Sequence, residues 1–241
     1  MAEVKKRLEW DKLGERFYET GTDHGVLYPM NDNGSYAKGV AWNGLTAVNE
    51  TPSGAEETAL WADNMKYLSI RSAEELGGTI EAYTYPKEFA ECDGSKEIIS
   101  GVTIGQQARK RFGFSYRTKI GNDVKGNDFA EKIHVIYNAS VSPTEKAYAT
   151  INDSPEAATL SWEFSTITSS FTLSNVEYKT ANITIDLTGA TDEQKTAVYN
   201  LLWGKDGDDE EDGENHVEAS DPTLPPIQTL VNTLNTIFAA A

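Results

Sequence analysis

The chain has one cysteine, three histidines and no apolar run approaching the 18 residues of a membrane-spanning helix. With Cys92 alone no intrachain disulfide can form, so the fold must hold through packing, which suits a reducing interior. The first residues, MAEVKKRLEWDKL, are basic but lack the apolar stretch of a secretory leader. Cytoplasmic synthesis is therefore expected, and the Asn-x-Ser/Thr sequons at Asn33, Asn49, Asn138, Asn152 and Asn182 are chance matches. Cationic side chains are scarce as well: 21 Lys and Arg stand against 38 Asp and Glu, a formal charge of −17 over 241 residues. Such a surface repels a phosphate backbone, which excludes a general nucleic-acid binder.

Catalytic signatures are missing. There is no Gly-x-Ser-x-Gly elbow, no GxGxxG turn and no Walker loop, so the chain is read as a non-enzyme without cofactor or metal. His134 alternates with the apolar side of a strand and is expected to point outward as an ordinary surface residue. His24 follows Asp23 in a glycine-flanked turn, and His216 follows an acidic run; no two histidines have the i, i+4 spacing of a helical metal site. That acidic run, GKDGDDEEDGE at 204–214, repels itself and is expected to be a solvated loop. Its carboxylates suit calcium, giving an acidic cation-binding β-domain as the alternative function. The register fails, because a twelve-residue calcium loop starting at Asp206 would put Glu211 where the turn glycine belongs. Paired carboxylates for glycoside hydrolysis have no fixed sequence spacing and receive no positive support.

What the sequence has in quantity is period-two alternation. Leu160, Trp162 and Phe164 alternate with polar residues, as do Ala181, Ile183, Ile185 and Leu187. Ile133, Val135, Tyr137, Ala139 and Val141 read as a third strand, and Phe112, Phe114 and Tyr116 as a fourth. Shorter strands are expected at 16–20, 37–42, 79–84 and 171–176, separated by turns such as Asn31-Asp32-Asn33-Gly34. One helix is well signalled: Thr191 and Gln194 form a capping-box pair, Ala197, Val198, Leu201 and Leu202 share a face, and Gly204 is a stop. A shorter helix is expected from Pro86 to before Gly94. The run Ile227, Leu230, Val231, Leu234 and Phe238 has helical spacing but Thr and Asn content that disfavours a helix, so it stays open. The fold class expected is mainly β: an antiparallel sandwich or barrel-like fold with one flanking α-helix, a short second helix and extended arms or loops.

Arg109, Arg111, Arg117 and Lys119 share one parity, opposite to Phe112, Phe114 and Tyr116. A strand there would carry a cationic row on one face, paired either with carboxylates of its own sheet or with the acidic surface of a neighbouring copy.

Along nearly its full length the chain resembles the major tail tube proteins of long-tailed, siphophage-type bacteriophages. The segments that carry the likeness are GLTAVNETPSGAEETALWADNMKY (44–67), TIEAYTYPKEFAECDG (79–94), ARKRFGFSYRTKIGND (108–123) and ATDEQKTAVYNLLWG (190–204) running into the acidic loop. The resemblance implies a single tail tube domain over 1–241, a β-sandwich with a flanking helix, and homo-hexameric rings stacked as a hollow tube in the virion tail. Double-stranded DNA passes through such a tube without specific binding, no membrane is involved, and the implied partners are other copies of the chain, the tape measure protein, the tail terminator and distal tail proteins. It favours a flexible, non-contractile tail. Some relatives add an immunoglobulin-like domain; the 38 residues after Trp203 are too few for one. By the same likeness, 44–67 is expected to be a long inter-subunit loop carrying Leu60 and Trp61. Residues 220–241, with Leu230 and Leu234, are expected to be a C-terminal arm, and Leu8, Trp10 and Leu13 belong to a similar N-terminal stretch. The subunit-interface residues expected are thus Leu60, Trp61, Arg111, Arg117, Leu230 and Leu234.

Overall fold

A computed structural model describes residues 7–148, 150–151, 157–207 and 218–239. In chain order the strands are β1 (Phe17–Pro29), β2 (Val40–Trp42), β3 (Leu45–Gly54), β4 (Glu57–Ala62), β5 (Met65–Arg71), β6 (Glu74–Ala82), β7 (Lys96–Ile99), β8 (Val102–Ile104), β9 (Phe112–Asn122), β10 (Gly126–Val141), β11 (Leu160–Ser165), β12 (Ser169–Leu173), β13 (Val176–Thr180) and β14 (Asn182–Asp186). Two helices follow, α1 (Asp192–Trp203) and α2 (Ile227–Ala239). Pairing is antiparallel throughout the described ladders.

The fold is mainly β, and its layers follow from which faces are apolar. One sheet runs β2-β1-β9-β10 with β14 on the far side of β10; the other runs β11-β6-β3, joined to the first where the end of β10 pairs with β11. The first core lies between the sheets. Trp42, Phe89, Phe112, Phe114, Trp162 and Phe164 fill it, with Trp42 4.5 Å from Phe89 and Phe89 5.3 Å from Trp162 between ring centroids. Such tilted and edge-on pairs contribute about 0.5–1.5 kcal/mol each beyond the area they bury. Cys92 is buried there too, and burial pushes its thiol pKa up to about 12. The second core covers the other face of the β1-β9-β10 sheet, where Tyr28, Ile133, Val135, Tyr137 and Leu187 meet Val198, Leu202, Leu224 and Leu230. Tyr28 satisfies its buried hydroxyl by donating to the Leu202 carbonyl at 2.7 Å.

β10 is the hinge between the two sheets, and it departs from the single alternating strand expected over 133–141. Asn138 takes a φ of +52°, and the register against β9 slips between Ile136 and Ala139. Upstream of this bulge Ile133, Val135 and Tyr137 face the helices; downstream Ala139 and Val141 face the first core. One inserted residue thereby exchanges the faces and lets the strand leave one sheet for the other.

The helix at 192–203 forms where the sequence places it: the Thr191 hydroxyl accepts from the Gln194 N–H, and the Gln194 side chain accepts from the Thr191 N–H at 2.9 Å. The segment after Pro86 is a single 3-10 turn, Lys87–Glu91, with Pro86 just outside it at φ −69°, ψ 152° rather than inside. The C-terminal run, left open by its composition, is helical because Ile227 and Leu230 bury against the second core. It is not a free arm. Leu230→Ala should therefore lower the unfolding free energy of the isolated chain by about 2–5 kcal/mol, and Leu234→Ala, half-buried at the edge of the same cluster, by clearly less; urea denaturation of both variants checks this.

Candidate assembly interface

Residues 44–67 are not an irregular loop. β3 pairs with β6 from Leu45 to Gly54, and beyond that point the two strands continue outward as the β4–β5 hairpin. Gly54, at φ +85°, marks the change, since a Cβ there would lie 2.4 Å from the Ala73 carbonyl oxygen. The tip is the two-residue turn Asp63-Asn64 with φ of +51° and +62°, the conformation that matches the twist of a tight hairpin. Asp and Asn tolerate this conformation, but the pair alone does not specify the turn. Ser174-Asn175 makes the same turn between β12 and β13, which the expected strand 171–176 ran across.

The hairpin carries apolar side chains with nothing over them. Leu60 faces Leu68 in register and is 42% exposed; Trp61, opposite Lys66, is 72% exposed, and every residue of β5 is exposed. A two-stranded hairpin with no third strand is marginal in water, and the stretch holds Met65, Tyr67 and Ile70 in solvent besides. Its internal ties are surface ion pairs, Lys66 to Glu57 at 2.5 Å and Arg71 to Glu57 at 3.4 Å, which contribute little. The β7–β8 hairpin is similar in kind, exposing Ile98, Ile99 and Val102, and Leu8, Trp10 and Leu13 are also exposed. Unpaired backbone adds to this: β3 and β14 each ladder on one side only, leaving an open edge on each sheet.

The cationic residues between 109 and 119 do not form one row. Between Arg111 and Arg117 their face of β9 consists of Gly113 and Ser115, both buried; a Cβ on Gly113 would lie 2.2 Å from the Leu224 side chain. The row is interrupted because that face is the floor of the second core. Arg111, Arg117 and Lys119 each find a partner in their own chain. Arg111 donates to the Asn138 carbonyl at 2.7 Å, and Lys119 lies 3.6 Å from Asp128. Arg117 is clamped between Asp23, which it grips at 2.7 and 2.9 Å, and Glu131 at 2.8 Å, with the Trp203 ring 5.9 Å from its guanidinium carbon. Register slips on either side of Asp23 in β1 aim its carboxylate at Arg117. The Arg117 guanidinium holds the Asp23 carboxyl below its ordinary pKa, against the opposing effect of burial.

Leu230 is wholly buried and Leu234 is half-buried in their own chain, so of the expected interface residues Leu60 and Trp61 are the ones most open to another molecule. His134 is half-buried rather than at the surface, stacked 4.6 Å from Tyr116 and 2.9 Å from the Thr118 hydroxyl; burial lowers its pKa. His24 lies 2.9 Å from Asp23 and against Trp203. His216 and most of the acidic loop at 204–214 lie outside the described residues. Among the described residues no three metal-ligating side chains converge, and no helix is long and apolar enough to cross a membrane.

No family model and no curated protein matches the chain. Among solved structures it is similar to a chain of the anti-feeding prophage (AFP) baseplate, determined by cryo-EM with 6-fold symmetrisation, at 8% identity and a TM-score of 0.33, covering 74% of this chain and 97% of that one. It is also similar to a chain of the sheath–tube complex of an extracellular contractile injection system, PVC, in the extended state, at 12% identity and a TM-score of 0.27, covering 74% and 94%.

The Arg117 clamp gives a pH signature. A carboxyl whose folded pKa is depressed stabilises the fold above its unfolded value, about 3.9, and loses that contribution as pH falls through the folded value. Arg117→Met should therefore be less stable than the parent at pH 7, with the gap narrowing below pH of about 3.9. Denaturant midpoints at pH 7 and pH 3 check this; a gap that stays constant would assign the role of Arg117 to packing rather than charge.

Proposed function

We propose that the chain is a structural tail tube subunit, assembling into hexameric rings that stack into the conduit through which phage DNA leaves the capsid. The observation that carries this reading is the uncovered β4–β5 hairpin, whose Leu60 and Trp61 have no place in their own core and lie in the segment that resembles the family's inter-subunit loop. A projecting element that docks onto the next copy is head-to-tail by nature, and such contacts close into rings or propagate as filaments. Open edges on β3 and β14 support the same reading, since a neighbour can continue either sheet. Net charge supports it too. A tube that holds a polyanion without gripping it should repel phosphate, and the chain carries −17. Several of the cations that could bind DNA are engaged with carboxylates of their own chain, as at Arg117, Lys132 with Glu19, and Lys146 with Asp93. The tape measure, terminator and distal tail proteins are the partners such a subunit would meet, and the tail is of the non-contractile type.

Negative-stain electron microscopy of the purified chain, and of virions labelled against it, tests the reading. Tubes or a labelled tail shaft are expected; a chain that stays monomeric and is absent from the shaft would overturn it. Within that experiment, Leu60→Asp and Trp61→Asp should leave the stability of the unassembled chain within about 0.5 kcal/mol of the parent, as exposed substitutions do, and should abolish tube formation.

A further inference from the structure

The two sheets differ in what covers them and in charge. The sheet containing β1, β9 and β10 has a core on each face. The sheet β3-β6-β11 buries its inner face on the first core, and among the described residues no helix or strand packs extensively over its outer face. Across its three strands, LTAVNETPSG, EELGGTIEA and LSWEFS, there is no Lys or Arg. On the outer face Glu81 stands opposite Ser161, Glu163 opposite Thr79 and Glu75 opposite Ser53. The carboxylates are thus offset, each facing a hydroxyl instead of a second acid, which spares the sheet the cost of like charges directly opposed. None of the ion pairs among the described residues involves Glu75, Glu81 or Glu163. The other outward positions are Ala, Asn, Thr, Gly and Ser, so the face is shallow as well as acidic.

A water-exposed sheet face ordinarily mixes both signs and gains from cross-strand pairs. Here a chain with 21 cations places none on this face, while β9 and β10 carry Arg117, Lys119 and Lys132. We propose that this outer face of β3-β6-β11 is the surface that lines the bore, presenting unpaired carboxylates to the passing DNA. The inference rests on the tail tube reading and adds to it the orientation of the subunit: β3-β6-β11 inward, α1 and α2 outward. Unpaired carboxylates keep their full repulsion for phosphate, whereas paired ones would present little net field. Short side chains leave the duplex no ledge to stack on. The open edge of β3 lies in the same sheet, so continuation by a neighbour would extend the acidic face around the channel.

Cys92 is buried and its thiol is held protonated, so a single introduced cysteine is a clean reporter. Tubes assembled from full-length Glu163→Cys are treated with biotin-maleimide, which is small, and then with streptavidin, which is too bulky to pass along the bore. The expected result is biotin incorporation in intact tubes with loss of streptavidin binding until the tubes are dissociated. Thr229→Cys on the exposed side of α2 should bind streptavidin on intact tubes. Thr79→Cys, directly opposite Glu163, serves as the second reporter should Glu163→Cys fail to assemble. Streptavidin decorating intact Glu163→Cys or Thr79→Cys tubes would overturn the inference by placing the face outside. Biotin uptake only after dissociation would overturn it by placing the face between subunits. Failure of the parent chain to form tubes would instead defeat the tail tube reading, and the orientation with it.

Discussion

The structure depends on one constraint: strand β9 is buried on both faces. Phe112, Phe114 and Tyr116 enter the core between the sheets, while Gly113 and Ser115, on the alternate positions, lie under Leu224 and Tyr28. A strand buried on both sides forces two cores and therefore three layers, with helices on one side and a second sheet on the other. It also fixes where polar chemistry can occur. Charges appear on β9 only past the end of the buried stretch, and there Arg117 is met at once by Asp23 and Glu131.

With the helices packed over one sheet and both cores filled, two kinds of surface are unaccounted for by the needs of a single chain. One is apolar and projecting, the β4–β5 hairpin with Leu60 and Trp61. The other is polar and flat, the acidic face of β3-β6-β11. They are built from the same pair of strands, because β3 and β6 supply the flat face and then run on into the hairpin. In the proposed tube this continuity joins the wall of the channel to the contact that stacks one ring on another. Stacking and lining are then mechanically one element, and Glu75, Glu81 and Glu163 meet the genome without an ion-pair partner to neutralise them.

Much of this was legible along the chain. Alternation at 160–164 and 181–187 located β11 and β14 with their buried faces, and Thr191 with Gln194 located α1, because a strand pleat and a helix cap are local rules that a few residues can satisfy. The family resemblance singled out Leu60 and Trp61, but not the hairpin that holds them. Its tip depends on two positive-φ residues, Asp63 and Asn64, whose conformation is selected by the strands they join. The bulge at Asn138 was invisible for a related reason. An extra residue in a ladder shows only when the partner strand is present to count against.

By itself the sequence determined the chain's acidity, its mainly antiparallel β character, the capped helix before Trp203 and the want of a disulfide, all of which follow from composition or from neighbours a few residues apart. Tertiary structure alone decided that the C-terminal run is a helix, that Arg111, Arg117 and Lys119 are engaged within their own chain, and that Leu230 lies in the core while Trp61 does not. The physical reason is shared by all three: burial and ion pairing are fixed by residues tens of positions away, and the fold must close before it is settled which face of a strand or helix meets a core, a carboxylate or water.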